Sequence, residues 1–296
     1  SFVTNKLSEK ILSTDSIFEL ENLPESILIV GGGYSGCEFA SILNVLGCKI
    51  WLVEMEGSIL PNQPKEIGAA IEKYMKLDGI SVLTKSSMKI TDDNKIMINN
   101  NEINPEKILI STGRQPNFNT DELDKLGINW NDKGIIVNEF MQTSLSNVYA
   151  IGDIAGKYEL AHVASYQGEI VAQNILGEKK KIDYSVIPYC VFTYPEVAIV
   201  GKCEGNSKEF PMVANAKANC LGDTRGFIKV FEENGILQGV IIVGAHASEI
   251  IGEAALAVKL KLKPKEVIET IHAHPTLPEA FVDALRSLDG KSIHTL

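Results

Sequence analysis

The chain has 296 residues, 45% of them hydrophobic, and a net charge of −10. That length accommodates about two domains with substantial cores, and an acidic chain without a long basic run argues against nucleic acid and anionic membrane surfaces as partners. No apolar run approaches the roughly 18–20 residues that span a bilayer, and Ser1-Phe2-Val3-Thr4-Asn5 does not read as a signal peptide.

Residues 1–25 are mixed and unpatterned, and are expected to be a lead-in from something upstream. From residue 26 the pattern alternates. Ile27–Val30 is a short apolar strand followed by a glycine turn, and Ser35–Leu46 reads as a helix ending at Gly47. Lys49–Val53 is a second strand. Pro64–Leu77 is a helix, with Pro64 near its first turn and Asp78-Gly79 closing it. Short strands with an Asn-rich turn fill 81–103, and Lys107–Ile110 is a buried strand. This βαβ alternation predicts a Rossmann-type, doubly wound α/β domain over 26–118. A central segment, 119–184, is expected to hold a strand at Val148–Ile151 and a helix at Ala161–Leu176. From 185 to 296, β runs at Met212–Val213, Phe227–Phe231 and Ile236–Val243 precede helices at Ser248–Lys261, Pro264–Ile271 and Pro278–Leu288. Strands followed by helices predict a separate α+β domain.

Gly31-Gly32-Gly33-Tyr34-Ser35-Gly36 matches G-x-G-x-x-G between a predicted strand and a predicted helix, the context in which this pattern marks a dinucleotide site. Gly31 permits the tight turn, Gly33 lets the backbone approach a pyrophosphate, and Gly36 permits close helix–strand packing. The helix N-terminus attracts the phosphates. Glu54 ends the second strand, 23 residues after Gly31. A carboxylate there accepts hydrogen bonds from ribose hydroxyls and repels an extra phosphate, so NAD is expected over NADP; the alternative is a solvated strand-end charge. Glu38, just inside the glycine-rich helix, could simply complement the helix dipole.

His272-Ala273-His274-Pro275-Thr276-Leu277-Pro278-Glu279 places a proline-fixed histidine five residues before a carboxylate at a helix start. That spacing suits an oriented acid–base pair: the carboxylate fixes the tautomer, and the other ring nitrogen is left to move a proton near neutral pH. His272 is expected to be a structural neighbour, His246 an interface or cap residue, and His294 part of a mobile tail. Cys37, Cys48, Cys190, Cys203 and Cys220 are widely spaced, form no Cys-x-x-Cys pair, and read as free thiols in a reducing, cytoplasmic-type compartment. No metal site is expected.

These motifs, from about Thr14 to Arg286, resemble the dihydrolipoamide dehydrogenases of the pyridine nucleotide–disulfide oxidoreductase family. His274-Pro275-Thr276-Leu277-x-Glu279-Ala280 resembles the family's catalytic signature. The resemblance implies that His274 takes a proton from a thiol of dihydrolipoamide while Glu279 orients the ring. Thr112-Gly113-Arg114-Gln115-Pro116-Asn117 resembles the turn by which that family leaves its NAD domain, and Glu38 there lies near the nicotinamide. Tyr149-Ala150-Ile151-Gly152-Asp153 resembles the strand whose aspartate holds the ribityl and phosphate part of FAD. Ala161-His162-Val163-Ala164-Ser165-Tyr166-Gln167-Gly168 resembles the helix start facing the flavin pyrimidine, with Gln167 in place of the usual glutamate. Residues 119–184 then stand as a remnant of an FAD domain, and 185–296 as a homodimer-interface domain. The implied partner is dihydrolipoamide or the lipoyl domain of a 2-oxoacid dehydrogenase or related complex, in the cytoplasm or, in a eukaryote, the mitochondrial matrix.

The family's other glycine-rich unit, which binds the ADP half of FAD, and its Cys-x-x-x-x-Cys disulfide do not occur in these residues. The expectation is therefore a C-terminal two-thirds of the enzyme, inactive by itself. The alternative is a stand-alone NAD-binding or dimerisation module without redox chemistry.

Overall fold

A computed structural model describes residues 5–294. Ser1 to Thr4, part of the stretch read as unlike a signal peptide, lie outside them. The chain forms two compact units: one holds everything up to Gly113 together with Pro188 onward, the other holds Arg114–Ile187.

The first unit opens with a helical turn α1 (Asn5–Ser8) and a two-residue strand β1 (Ile11–Leu12). It continues through β2 (Ser26–Val30), α2 (Tyr34–Val45), β3 (Lys49–Val53), α3 (Lys65–Leu77) and β4 (Ser81–Leu83). An antiparallel three-stranded flap follows, β5 (Met88–Ile90), β6 (Ile96–Ile98) and β7 (Asn101–Ile103), and then β8 (Lys107–Ile110). The five-stranded sheet has the order β1-β8-β2-β3-β4 and every pairing in it is parallel. β1 falls within the stretch expected as a lead-in, yet Ile11 and Leu12 pair with Ile108 and Leu109 at the sheet edge. Two residues are too few for a readable period.

Side chains alternate across β2, as strand geometry requires. Ile27 and Ile29 enter one core, and Leu28 enters another beneath the flap with Ile96, Ile98 and Ile108. The larger core also takes Val191, Val197, Phe231, Ile241 and Val243 from the C-terminal part of the chain. The two regions expected as separate domains therefore share one hydrophobic interior.

Unit two contains α4 (Thr120–Leu126), a small hairpin of β9 (Trp130–Asn131) and β10 (Gly134–Ile135), and α5 (Ala161–Ile175). Asn119 caps α4 through its side chain, and Gly127 ends it in the left-handed region. The strand expected at Val148–Ile151 does not form. A strand needs a ladder of neighbours, and among the described residues this stretch makes only one bridge, between Tyr149 and Gln142.

Back in the first unit, β11 (Tyr189–Val191), β12 (Glu196–Gly201), β13 (Asn206–Pro211), β14 (Phe227–Glu233) and β15 (Ile236–Gly244) form an antiparallel sheet of order β11-β12-β15-β14-β13. α6 (Ala216–Leu221) lies between β13 and β14, and α7 (Ala247–Lys259), α8 (Pro264–Ile268) and α9 (Glu279–Ser287) follow. Met212–Val213, expected as strand, instead begins a 3-10 turn: the strand ends at Pro211, and Met212 turns inward and is fully buried. Among the described residues no helix is long and apolar enough to cross a membrane.

A polar latch reinforces the shared core. Arg225 donates two hydrogen bonds to Asp78, at 2.6 and 2.7 Å, and lies 5.0 Å from the Tyr194 ring centroid. The fork geometry matches the carboxylate, and both side chains are mostly buried. Arg225→Ala is expected to lower the unfolding free energy by about 1–2 kcal/mol. Urea denaturation of R225A, D78A and the double variant checks this: the two single losses should not add.

Candidate functional site

The glycine turn is built by close backbone approaches. Gly31 sits at φ +110°, where a Cβ would lie 2.2 Å from the Ser111 carbonyl oxygen. A Cβ on Gly36 would lie 1.9 Å from the Gly31 carbonyl oxygen. The neighbour that demands glycine at 36 is thus the turn's own backbone. Gly33 differs: a Cβ there meets nothing within 4 Å. Gly33 is also the N-cap of α2, whose first turn has no side-chain cap and no acidic residue. Open space beside free N–H groups suits a pyrophosphate, so the residues fit NAD.

Glu54 is half-buried rather than solvated. Its Oε2 accepts the Gly32 N–H at 2.7 Å and its Oε1 accepts the Glu56 N–H at 2.8 Å. The carboxylate therefore ties the end of β3 to the glycine turn, and each oxygen keeps lone-pair capacity for a ribose hydroxyl. Glu38 does more than complement a dipole. Its Oε1 accepts the Phe192 N–H at 2.9 Å, joining α2 to the residue after β11. Burial raises its pKa against the lowering effect of that bond. Gly113 follows β8 at φ +121° and is exposed, with open space around it.

In the second unit, Gly152 adopts φ +76° and donates its N–H to Gln167 Oε1 at 2.6 Å. Gln167 is fully buried, and its Nε2 donates to the Tyr184 hydroxyl at 2.8 Å. That hydroxyl in turn reaches the Met141 sulfur. An amide supplies the acceptor and the donor this chain of bonds needs; a carboxylate at 167 could only accept. Asp153 is exposed at the start of a 3-10 turn, and Ala161 is exposed as the first residue of α5, which has no side-chain cap. An exposed carboxylate and an uncapped helix start suit part of a flavin site, since the helix end favours negative charge.

His274 and Glu279 meet as the spacing predicts. Nδ1 lies 3.0 Å from Glu279 Oε1, and the other carboxylate oxygen accepts the Thr276 N–H at 2.7 Å. Glu279 opens α9, and His274 follows Ala273 and precedes Pro275 through a cis peptide bond. The histidine side chain is 62% exposed and the glutamate 19%. A carboxylate acceptor makes Nδ1 the donor, so Nε2 carries the free lone pair and makes no hydrogen bond within the described residues. Burial disfavours the Glu279 charge, but the Thr276 N–H and His274 outweigh it and hold the pKa below its usual 4.5.

The other histidines also find places. His246 is the N-cap residue of α7, in the left-handed region at φ 54°. His294, expected in a mobile tail, lies 2.7 Å from the buried Asp283 carboxylate of α9. His272 Nε2 lies 2.8 Å from Glu253 Oε1 on α7. Sequence reasoning missed Glu253 and Asn215. Asn215 was legible as a cap residue before α6, but its bond to the Thr276 carbonyl crosses 61 residues and has no local signature.

Gly33→Ala is expected to change stability by less than about 0.5 kcal/mol while weakening NADH binding roughly 10-fold. Gly36→Ala should be strongly destabilising, by about 2 kcal/mol or more. Thermal unfolding with a fluorescence titration of NADH separates the two. The lowered Glu279 pKa gives stability that is fully present above pH 4.5 and lost as pH falls through the folded value. The stability gap between wild type and Glu279→Gln should therefore shrink below pH 4.5, as read by denaturant unfolding across the acid range.

Pyridine nucleotide-disulphide oxidoreductases match residues 4–168 as a family, and the dimerisation domain of that family matches residues 187–285. A dihydrolipoyl dehydrogenase of Chlamydia pneumoniae is 38% identical over 97% of this chain and 66% of its own length. One of Bacillus subtilis is 37% identical over 97% of this chain and 65% of its own. The chain thus spans just under two thirds of the length of these relatives. Among solved structures, LpdA of Mycobacterium tuberculosis superposes with a TM-score of 0.84 at 26% identity, covering 94% of this chain and 64% of that one. The HOCl-induced flavoprotein disulfide reductase RclA of Escherichia coli gives 0.87 at 23% identity, covering 94% and 69%, which shows a common fold.

Proposed function

The chain belongs to the pyridine nucleotide-disulphide oxidoreductases, an FAD- and NAD(P)-dependent family, and from that premise we propose that it supplies the NAD-binding and proton-transfer parts of a homodimeric dihydrolipoyl dehydrogenase. The observation that carries this reading is the His274–Glu279 pair, bonded at 3.0 Å with no hydrogen bond to its second ring nitrogen among the described residues. The overall reaction converts the two thiols of dihydrolipoamide to a disulfide, delivers two electrons and one proton to NAD as hydride, and releases the other proton.

His274 Nε2 takes a thiol proton, which leaves a better nucleophile behind. Glu279 holds the ring by Nδ1 and stabilises the imidazolium that results. Gly31, Gly33 and Gly36 let the first turn of α2 approach the NAD pyrophosphate, while Glu54 takes the ribose hydroxyls and repels the extra phosphate of NADP. Glu38 stands in the same helix, and Gly113 at the exit of the same sheet. Bound FAD would carry electrons to NAD from the dithiol form of a redox disulfide that the substrate has reduced. Gly152, Asp153 and the α5 start at Ala161 are the residues here that would meet it. The match to a dimerisation domain supports a homodimer in which His274 serves the partner's site. The reacting dithiol would arrive free or on a lipoyl domain. Five free thiols support a reducing, cytoplasmic-type compartment.

No two of the five cysteines have disulfide spacing of the Cys-x-x-x-x-Cys kind. Burial pushes the Cys48 thiol up to about 11 and the Cys203 thiol up to about 12, so neither is a ready nucleophile. The 296-residue polypeptide alone is therefore expected to bind NADH at least roughly 10-fold more tightly than NADPH, with no lipoamide turnover. Fluorescence titration and a lipoamide–NAD assay test this; normal turnover, or a preference for NADPH, overturns it. Joined to the part of the Bacillus subtilis relative that it does not match, the chain should turn over, and His274→Gln should cost about 10²–10⁴ in kcat. NADH binding without turnover in that chimaera favours the second reading, an NAD-binding and dimerisation module.

A further inference from the structure

The segment that presents His274 has no core of its own. No residue between Val267 and Leu277 is buried, and Ile271 is 96% exposed. Its position is set by polar bonds at its two ends.

At the upstream end, His272 is held on both sides. Nδ1 lies 2.8 Å from the Thr270 carbonyl oxygen, and Nε2 lies 2.8 Å from Glu253 Oε1. The His272 side chain is only 13% exposed. A carbonyl can only accept, so Nδ1 donates. Both ring nitrogens are thus engaged, one by the carbonyl of the segment itself and one by the carboxylate on α7. Glu253 sits at the centre of α7, whose neighbouring Ile250, Ile251 and Ala254 are buried, so the anchor is rigid.

At the downstream end, Asn215 is 4% exposed. Its Nδ2 donates to the Thr276 carbonyl at 3.1 Å while its Oδ1 accepts the Ala218 N–H and caps α6. Between the anchors, Thr276 Oγ1 donates to the Ala273 carbonyl at 2.7 Å and closes the segment on itself.

We propose that Glu253, His272 and Asn215 are positioning residues for His274: they fix the segment from 272 to 276 so that its ring stays on Glu279 with Nε2 presented to a thiol. This rests on the reading of His274 as the proton acceptor. The Glu253–His272 bond is the upstream clamp and the Asn215–Thr276 bond the downstream one. Neither touches the reacting atoms. A clamp of this kind matters because a displacement near 1 Å can cost about 10²-fold in rate.

The test is the tautomer of His274, read by long-range ¹H–¹⁵N correlation spectra of the histidine-labelled 296-residue chain. Wild type should show His274 as a single Nδ1–H form. Glu253→Ala removes the upstream partner and should average the two tautomers. His272→Asn keeps a donor for Thr270 but loses the reach to Glu253, and should do the same. His272→Gln keeps a donor at the reach of Nε2 and should retain the single form. Asn215→Asp keeps the cap of α6 but sets an acceptor against the Thr276 carbonyl, and should average His274 with the helix intact. Dispersed backbone spectra establish that each variant is folded. A His274 that keeps its single tautomer in E253A, H272N and N215D overturns the proposal, as does loss of that form in H272Q while H272N retains it. A wild-type chain with no fixed tautomer also overturns it. The parent reading fails separately, through the nucleotide-binding and chimaera assays, which do not depend on these variants.

Discussion

The first unit depends on one close approach, the packing of Gly36 against the Gly31 carbonyl. A Cβ at 36 would sit 1.9 Å from that oxygen, well inside contact distance. With glycine there, α2 starts directly on the turn that ends β2, and its N–H groups face open space at Gly33. The same start sets the direction of α2, and Glu38, one turn along, reaches the Phe192 N–H. The turn that suits a nucleotide thus also orients the helix that joins the parallel sheet to the antiparallel one. The apolar core and the Arg225–Asp78 latch reinforce that joint.

The His274–Glu279 pair is held in a different way. The glycine turn rests on a sheet whose Ile27, Leu28 and Ile29 are fully buried, so its geometry follows from packing. His274 stands on an unburied segment, and its geometry follows from hydrogen bonds of Glu279, Thr276, Asn215 and His272. Those bonds lead to elements that do belong to the core: α9, with Phe281 and Leu285 buried, and α7, with Ile250, Ile251 and Ala254 buried. On the proposed reading, exposure lets His274 meet an incoming thiol. The polar frame lets it be exposed and still oriented.

Elements with a strong period were legible in the sequence. β3 and β8 form over the residues expected, α3 starts one residue later than expected, and α2 and α9 differ by one residue at each end. Two strand assignments failed for identifiable reasons. Val148–Ile151 is apolar, but apolarity does not supply a neighbouring strand. Met212 is apolar because it is buried in a turn, and burial alone does not distinguish the two. β1 was invisible because pairing with β8, rather than any pattern in Ile11 and Leu12, makes it a strand. His294 looked like tail because nothing local points to Asp283.

Short-range chemistry was decided by the sequence itself. Glycine spacing set the tight turn before α2, and the interval from His274 to Glu279 set their hydrogen bond, because both act over a few residues where backbone geometry leaves little choice. The tertiary structure decided what those residues lean on. It made Glu54 a brace of the glycine turn, made Glu38 a link to Phe192, and placed Gln167 between Gly152 and Tyr184. It also brought Glu253 and Asn215 to the two ends of the His274 segment. Each of these bonds joins residues far apart in the chain, and their partners are chosen by how the sheets and helices pack, which no local spacing encodes.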